Sequence, residues 1–161
     1  EVLGMAPTFD LAYFKSQEAT GSPLPLKGTV FISVTDKDKE AVLPTARRFT
    51  ELGFRVKATN NTFKFLQANE VPCEISFKIS EHYRPNIADE IKSKLIDLVI
   101  NTPIGKAGTV DDAYIRKSAI RYKVPYLTTT AAARAAVLGI AAARSGKAVV
   151  KSLQEYHRAI R

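Results

Sequence analysis

The sequence holds one cysteine, no tryptophan, one methionine and two histidines in 161 residues. A single Cys73 excludes an internal disulfide and fits a reducing, cytoplasmic setting. One cysteine and two distant histidines, His82 and His157, give no metal-ligand spacing, so no metal is expected. No apolar run approaches the roughly 18 residues of a membrane span, so no membrane partner is expected. The opening residues Glu1-Val2-Leu3-Gly4-Met5-Ala6-Pro7 lack both a basic n-region and an apolar h-region, unlike a signal peptide. They also lack an initiator Met, and the chain is expected to begin inside a longer protein. Missing too are a Walker loop, a Gly-x-Gly-x-x-Gly fingerprint and a Gly-x-Ser-x-Gly elbow, the usual signatures of nucleotide hydrolysis, dinucleotide binding and acyl transfer.

What the chain does have is positive charge, with 24 Lys and Arg against 16 Asp and Glu, a net of +8. Such a balance can attract nucleic acid, a nucleotide or an acidic surface. The cations are scattered, as in Arg47-Arg48, Lys92, Lys94, Arg116-Lys117, Arg121 and Lys123. They form no dense run and do not alternate with aromatics, so a nucleic-acid module is disfavoured.

The hydrophobic pattern alternates strands with helices. Thr8 can cap a helix over 9–18, and the Gly, Ser and Pro of Ala19–Lys27 read as a linker. Strands are expected at 29–34, 54–59, 74–78, 95–101 and 125–128. Helices are expected from Asp36 or Asp38 to Leu52, over 62–69 and 86–94, from Asp111 or Asp112 to about Tyr122, from Thr129 or Thr130 to near Gly146, and from Ser152 onward with Leu153, Tyr156 and Ile160 on one face. Pro44 falls inside the second helix, where it costs an interior hydrogen bond unless it lies in the first turn. The order predicts a doubly wound α/β domain, with a mainly parallel five-stranded sheet and helices on both faces.

Ligands of such sheets bind beyond the carboxyl ends of the strands. Those ends read Ser33-Val34-Thr35 with Lys39 following, Thr59-Asn60-Asn61-Thr62, Asn101-Thr102-Pro103-Ile104-Gly105-Lys106 and Thr128-Thr129-Thr130. Hydroxyls, amides and lysines at helix N-termini suit an anion, phosphate above all. Any one cluster is also what caps and turns use, and Asn61 can be a left-handed turn residue. His82 and His157 read as surface histidines, and Asp111 and Asp112 as helix-start residues. No catalytic residue is expected.

These segments, with Lys37-Asp38-Lys39, Glu51-Leu52-Gly53-Phe54, Arg84-Pro85-Asn86-Ile87 and Ile115-Arg116-Lys117-Ser118-Ala119, carry a resemblance in the right order. From Gly28 on, the chain resembles the methylglyoxal-synthase-like domain that closes the large chain of carbamoyl phosphate synthetase. Residues 1–27 look like the tail of the preceding ATP-grasp half plus a linker, and 28–161 like the regulatory domain. The resemblance implies an allosteric role: UMP, and in many bacterial members IMP, in a nucleotide site, with ornithine at the boundary to the catalytic half. It implies Ser33, Lys39, Thr59, Thr62, Lys78, Asn101 and Thr102 for the nucleotide, and Asp111 and Thr128 for the ornithine boundary. It also implies catalytic ATP-grasp halves in the same chain using ATP with Mg or Mn, and a glutaminase small chain, serving pyrimidine and arginine biosynthesis. Pro103 stands where some nucleotide-regulated members carry Thr. The rival within the fold is methylglyoxal synthase, a lyase acting on dihydroxyacetone phosphate. That enzyme needs a Gly-Asp pair after the third strand, where this chain reads Ile79-Ser80-Glu81-His82.

Overall fold

Five short strands pair edge to edge, the central two of them apolar runs. The computed structural model describes residues 1–103, 109–146 and 150–158. Strands β1 (Thr29–Ser33), β2 (Arg55–Ala58), β3 (Glu74–Ile75), β4 (Leu98–Asn101) and β5 (Tyr126–Leu127) form one sheet in the order β3-β2-β1-β4-β5. Every pair is parallel. Parallel neighbours need crossovers, which contain α2 (Lys39–Glu51), α3 (Asn60–Ala68), α4 (Ile87–Lys92) and α5 (Thr109–Arg121), with α1 (Phe9–Ala19) before the sheet and α6 (Thr130–Arg144) and α7 (Leu153–Arg158) after it. The chain winds outward from β1 in both directions, so the order reverses between β1 and β4.

Alternation along the central strands separates two apolar layers. Val30, Ile32, Leu98 and Ile100 point to the layer that contains Val42 and Phe49 of α2, Leu66 of α3 and Ile140 of α6. Phe31 and Val99 point the other way, to Ile87 and Ile91 of α4 and Ile115 and Ala119 of α5. All of these are fully buried, which is why the central strands read as continuous hydrophobic runs.

Helix α1 lies on α6, with its Phe14 in the larger layer, and Leu24 of the Pro-rich stretch is buried there too. Leu11, Phe14 and Leu24 thus anchor this stretch on the fold, while Glu1–Leu3 and Glu18–Gly21 stay exposed. Gly139 makes the approach possible, because a Cβ there would stand 2.7 Å from the Asp10 carbonyl oxygen.

Local expectations are corrected at several ends. Thr8 and Asp38 precede α1 and α2 but neither side chain caps its helix. A 3-10 turn over Asp36–Asp38 leads into α2 instead. Pro44 lies past the first turn of α2, removing the donor that would serve the Glu40 carbonyl. Asn60 and Asn61 form the first turn of α3, so Asn61 is right-handed; among the described residues the non-glycine positions with positive φ are Glu70, His82, Lys94 and Lys123. The third strand ends at Ile75, although the Ser76 N–H still donates to the Ala58 carbonyl of β2, while the Ser76 hydroxyl donates to Glu90 of α4. Lys94, at φ 55°, ends the α4 turn, so β4 begins at Leu98 rather than Leu95. Helix α5 starts at Thr109, which places Asp111 and Asp112 inside its first turn rather than at its cap. Leu153 of α7 is exposed, and Ile160 lies outside the described residues.

Candidate functional site

The carboxyl ends of β1 and β2 open onto a pocket of about 230 Å³. Ser33, Thr59, Thr62 and Lys78 line it, together with Asn61 and Glu81. The parallel register brings Ile32 opposite Ala58, so the residues that follow each strand meet at one level. Ser33, Thr59 and Thr62 are 5%, 4% and 1% exposed, so three hydroxyls are buried side by side. The Thr59 hydroxyl lies 3.3 Å from Ser33 Oγ and 3.4 Å from Thr62 Oγ1. Thr62 Oγ1 accepts from the Val34 amide at 3.3 Å, tying α3 to the end of β1. Because the Thr59 hydroxyl faces this cluster, no side chain caps α3. Its first-turn N–H groups and the positive end of its dipole are left for an anion.

Lys78 is the cation of this lining. Its backbone N–H donates to Glu81 Oε2 at 2.7 Å, closing the turn Ile79–Glu81 against the pocket. Lys39 does not line the pocket: its ammonium sits 2.7 Å from Asp36 Oδ1 and over the Phe65 ring. Asp36 itself lines it. Thr102 stands one step back, where its Oγ1 accepts from the Thr35 amide at 3.0 Å. The Thr35 hydroxyl donates to Asp38 at 2.7 Å and holds that carboxyl below the ordinary range, against the opposing effect of burial and with smaller help from Thr102 and Lys37.

Asn101 ends β4 directly opposite Ser33, at the point where the strand order reverses. Its Nδ2 donates to Asp112 Oδ1 at 3.0 Å and to the Tyr126 hydroxyl at 2.8 Å. Its Oδ1 is buried without a hydrogen-bond partner. Burial raises the Tyr126 hydroxyl above the ordinary tyrosine range; the Asn101 bond opposes this, and Asp112 adds to it.

A second, more apolar pocket of about 520 Å³ lies beyond β5, lined by Pro103, Asp112, Arg116, Ile120, Tyr126 and Thr128. Of the two boundary residues expected from sequence, Thr128 is here. Asp111 points to Ser80, accepting from its N–H at 3.0 Å and its hydroxyl at 2.5 Å. Ile104, Gly105 and Lys106 lie outside the described residues.

Glu81 and Asp36 are pocket residues that strand-end reasoning missed. The only sequence signal for Glu81 is its three-residue spacing from Lys78, the spacing of a closed turn. His82 and His157 are both exposed. Among the described residues no group of three His, Cys, Asp or Glu side chains could hold a metal ion, and no helix is long and apolar enough to cross a membrane.

The large chain of carbamoyl phosphate synthase from Archaeoglobus fulgidus is 51% identical over 158 residues, covering 98% of this chain and 15% of that protein. A C-terminal section of the same large chain from Methanopyrus kandleri is 45% identical, covering 98% of this chain and 29% of that one. The large chain from Methanothrix thermoacetophila is 42% identical over the whole of this chain and 15% of its own length. The chain thus spans less than a third of these curated relatives. Among solved structures, a methylglyoxal synthase from Elizabethkingia anophelis superposes with a TM-score of 0.58 at 16% identity, over 84% of this chain and 93% of that one, a likeness of fold. The model of the MGS-like domain matches residues 41–128, more than half of the chain and the span that holds both pockets' strand ends from β2 to β5, and the chain belongs to the MGS-like domain family.

Proposed function

We propose that this chain is the effector-binding regulatory domain of a glutamine-dependent carbamoyl phosphate synthase large chain. In this reading the first pocket takes a nucleoside monophosphate, UMP or IMP. The observation that carries it is the buried group of three hydroxyls beside an uncapped helix start and Lys78. Clustered buried hydroxyls whose only other described partner is the Val34 amide are poor filling for an apolar core, and are suited to donate to phosphate oxygens. The orphan Asn101 acceptor beside Ser33 adds a place for a ligand hydroxyl or N–H, since an unsatisfied buried acceptor costs about 1–3 kcal/mol.

Lys39 would join the phosphate by leaving Asp36. The second pocket, with Thr128 and Asp112, would face the catalytic part of the same large chain and take ornithine at that boundary, with Asp111 behind it. The ligase reaction, its ATP with Mg or Mn, the glutaminase small chain, the cytoplasmic setting and the service to pyrimidine and arginine synthesis belong to the whole protein. Residues 1–27 would be the tail of the preceding ATP-grasp half.

Calorimetric titration with UMP and IMP tests the reading. Lys78→Ala should weaken the better nucleotide 10- to 100-fold, one charge-assisted bond being worth about 1.5–3 kcal/mol. Lys39→Ala should weaken it less, because the ammonium must first give up Asp36. Nucleotide affinity untouched by Lys78→Ala in a folded chain would place the phosphate elsewhere.

A further inference from the structure

Two adjacent aspartates in the first turn of α5 reach in two directions, Asp111 to the turn that flanks the first pocket and Asp112 to the second pocket. Asp111 holds Ser80 through both carboxylate oxygens, at 3.0 Å to its N–H and 2.5 Å to its hydroxyl. Asp112 lines the second pocket and accepts from Asn101. Successive helical residues project about 100° apart, so one turn can serve two walls.

Ser80 is the middle residue of the turn Ile79–Glu81, with Lys78 before it and Glu81 closing it. Lys78 and Glu81 line the first pocket. No residue of this turn is buried, and it ends at His82 in a left-handed conformation. With no fully buried anchor, the turn is held by its own backbone hydrogen bonds, by the flanking Phe77–Tyr83 ring contact and by hydrogen bonds to the side chains of Glu81 and Asp111. Glu81 fixes it from within, whereas Asp111 reaches it from a helix 31 residues away in sequence.

We propose that Asp111 is a positioning residue for Lys78, and that the Asp111-Asp112 turn links the first pocket to the second. The proposal rests on reading the first pocket as a phosphate site. When α5 tilts with whatever fills the second pocket, Ser80 follows Asp111, and the Lys78 ammonium moves relative to the three hydroxyls. By reciprocity a ligand on Lys78 also biases α5.

A double-mutant cycle on the 161-residue chain, whose sheet its own helices cover on both faces, tests this by UMP calorimetry. Asp111→Ala should weaken UMP about fivefold to tenfold, and Lys78→Ala more. The double variant should bind no more weakly than Lys78→Ala alone, because the placement of an absent ammonium does not matter. Losses that multiply would mean that Asp111 acts elsewhere and would overturn the proposal. If Asp111→Ala does not fold, Ser80→Ala completes the same cycle. Amide NMR reads the link: UMP should shift Asp112 and Thr128 in the wild type and not in Asp111→Ala, and their standing still in the wild type would refute it. A wild type that binds UMP, with Asp111→Ala binding equally well, sinks the positioning role alone. A folded wild type that binds neither UMP nor IMP nor inorganic phosphate sinks the phosphate reading and the proposal with it.

Discussion

Thr62 does two jobs with one oxygen. It accepts from the Val34 amide, and it completes the hydroxyl cluster. Thr62→Val keeps the shape and loses both, so UMP affinity should fall about tenfold and stability by about 1–3 kcal/mol, as a buried amide is left unpaired; calorimetry and urea unfolding read the two effects separately. Glu90 is the counter-case. Its carboxylate is buried between β2, β3 and α4, paired with Lys57 and accepting from Ser76 Oγ at 2.6 Å. Glu90→Leu strands Lys57, for which the more exposed Glu74 at 3.8 Å is a poor substitute, and should cost about 3 kcal/mol. A urea midpoint unchanged by this substitution would show that the pair contributes nothing. Thr59 and Thr62 were legible because strand ends and helix starts announce themselves in sequence. Glu90 was not, since a glutamate in an amphipathic helix looks solvated until two strands from elsewhere in the chain close over it.

At the scale of elements, the long buried strands and their helices were legible because burial on both faces makes their apolar runs continuous. The ends were less so. The third strand lies at the sheet edge with a single neighbour and is only two residues long, and α5 begins ahead of the aspartates that seemed to open it. The packing of α1 on α6 was hidden, because the signal is a single glycine inside a helix. Gly139→Ala should drive a Cβ into the Asp10 carbonyl, destabilising the chain by about 1–3 kcal/mol and raising hydrogen exchange in α1 before the sheet. Unchanged α1 protection would mean that the two helices part at no cost. The latch ahead of α2 has a pH signature. Asp38 titrates below its ordinary range in the folded chain, so its contribution is present above the unfolded-state value near 3.9 and is lost as pH falls through the folded one. The wild type should therefore exceed Asp38→Asn in urea midpoint at pH 7, and the gap should close in acid below about pH 4. A gap that persists there would assign the difference to shape instead of charge.

For the whole molecule, a chain of net charge +8 carries pockets of quite different character. The first is small and hydroxyl-lined, with Lys78 set among the carboxylates of Asp36 and Glu81; the second is larger and mostly apolar. A family resemblance carried in short motifs was enough to read the fold and to foresee the hydroxyl cluster. It could not foresee that Lys39 is held by Asp36, or that Asp111 and Asp112 part to separate walls, because both depend on how loops close in space. The account also expects no conversion of dihydroxyacetone phosphate to methylglyoxal, and turnover near ~1 per second would contradict it. The most direct test of the central claim is titration of the folded chain with UMP and IMP, with inorganic phosphate as competitor. Saturable one-to-one binding of at least one nucleotide is expected, weakened by phosphate and by Lys78→Ala or Thr62→Val. Binding that neither substitution diminishes, or none at all by a folded chain, would contradict it.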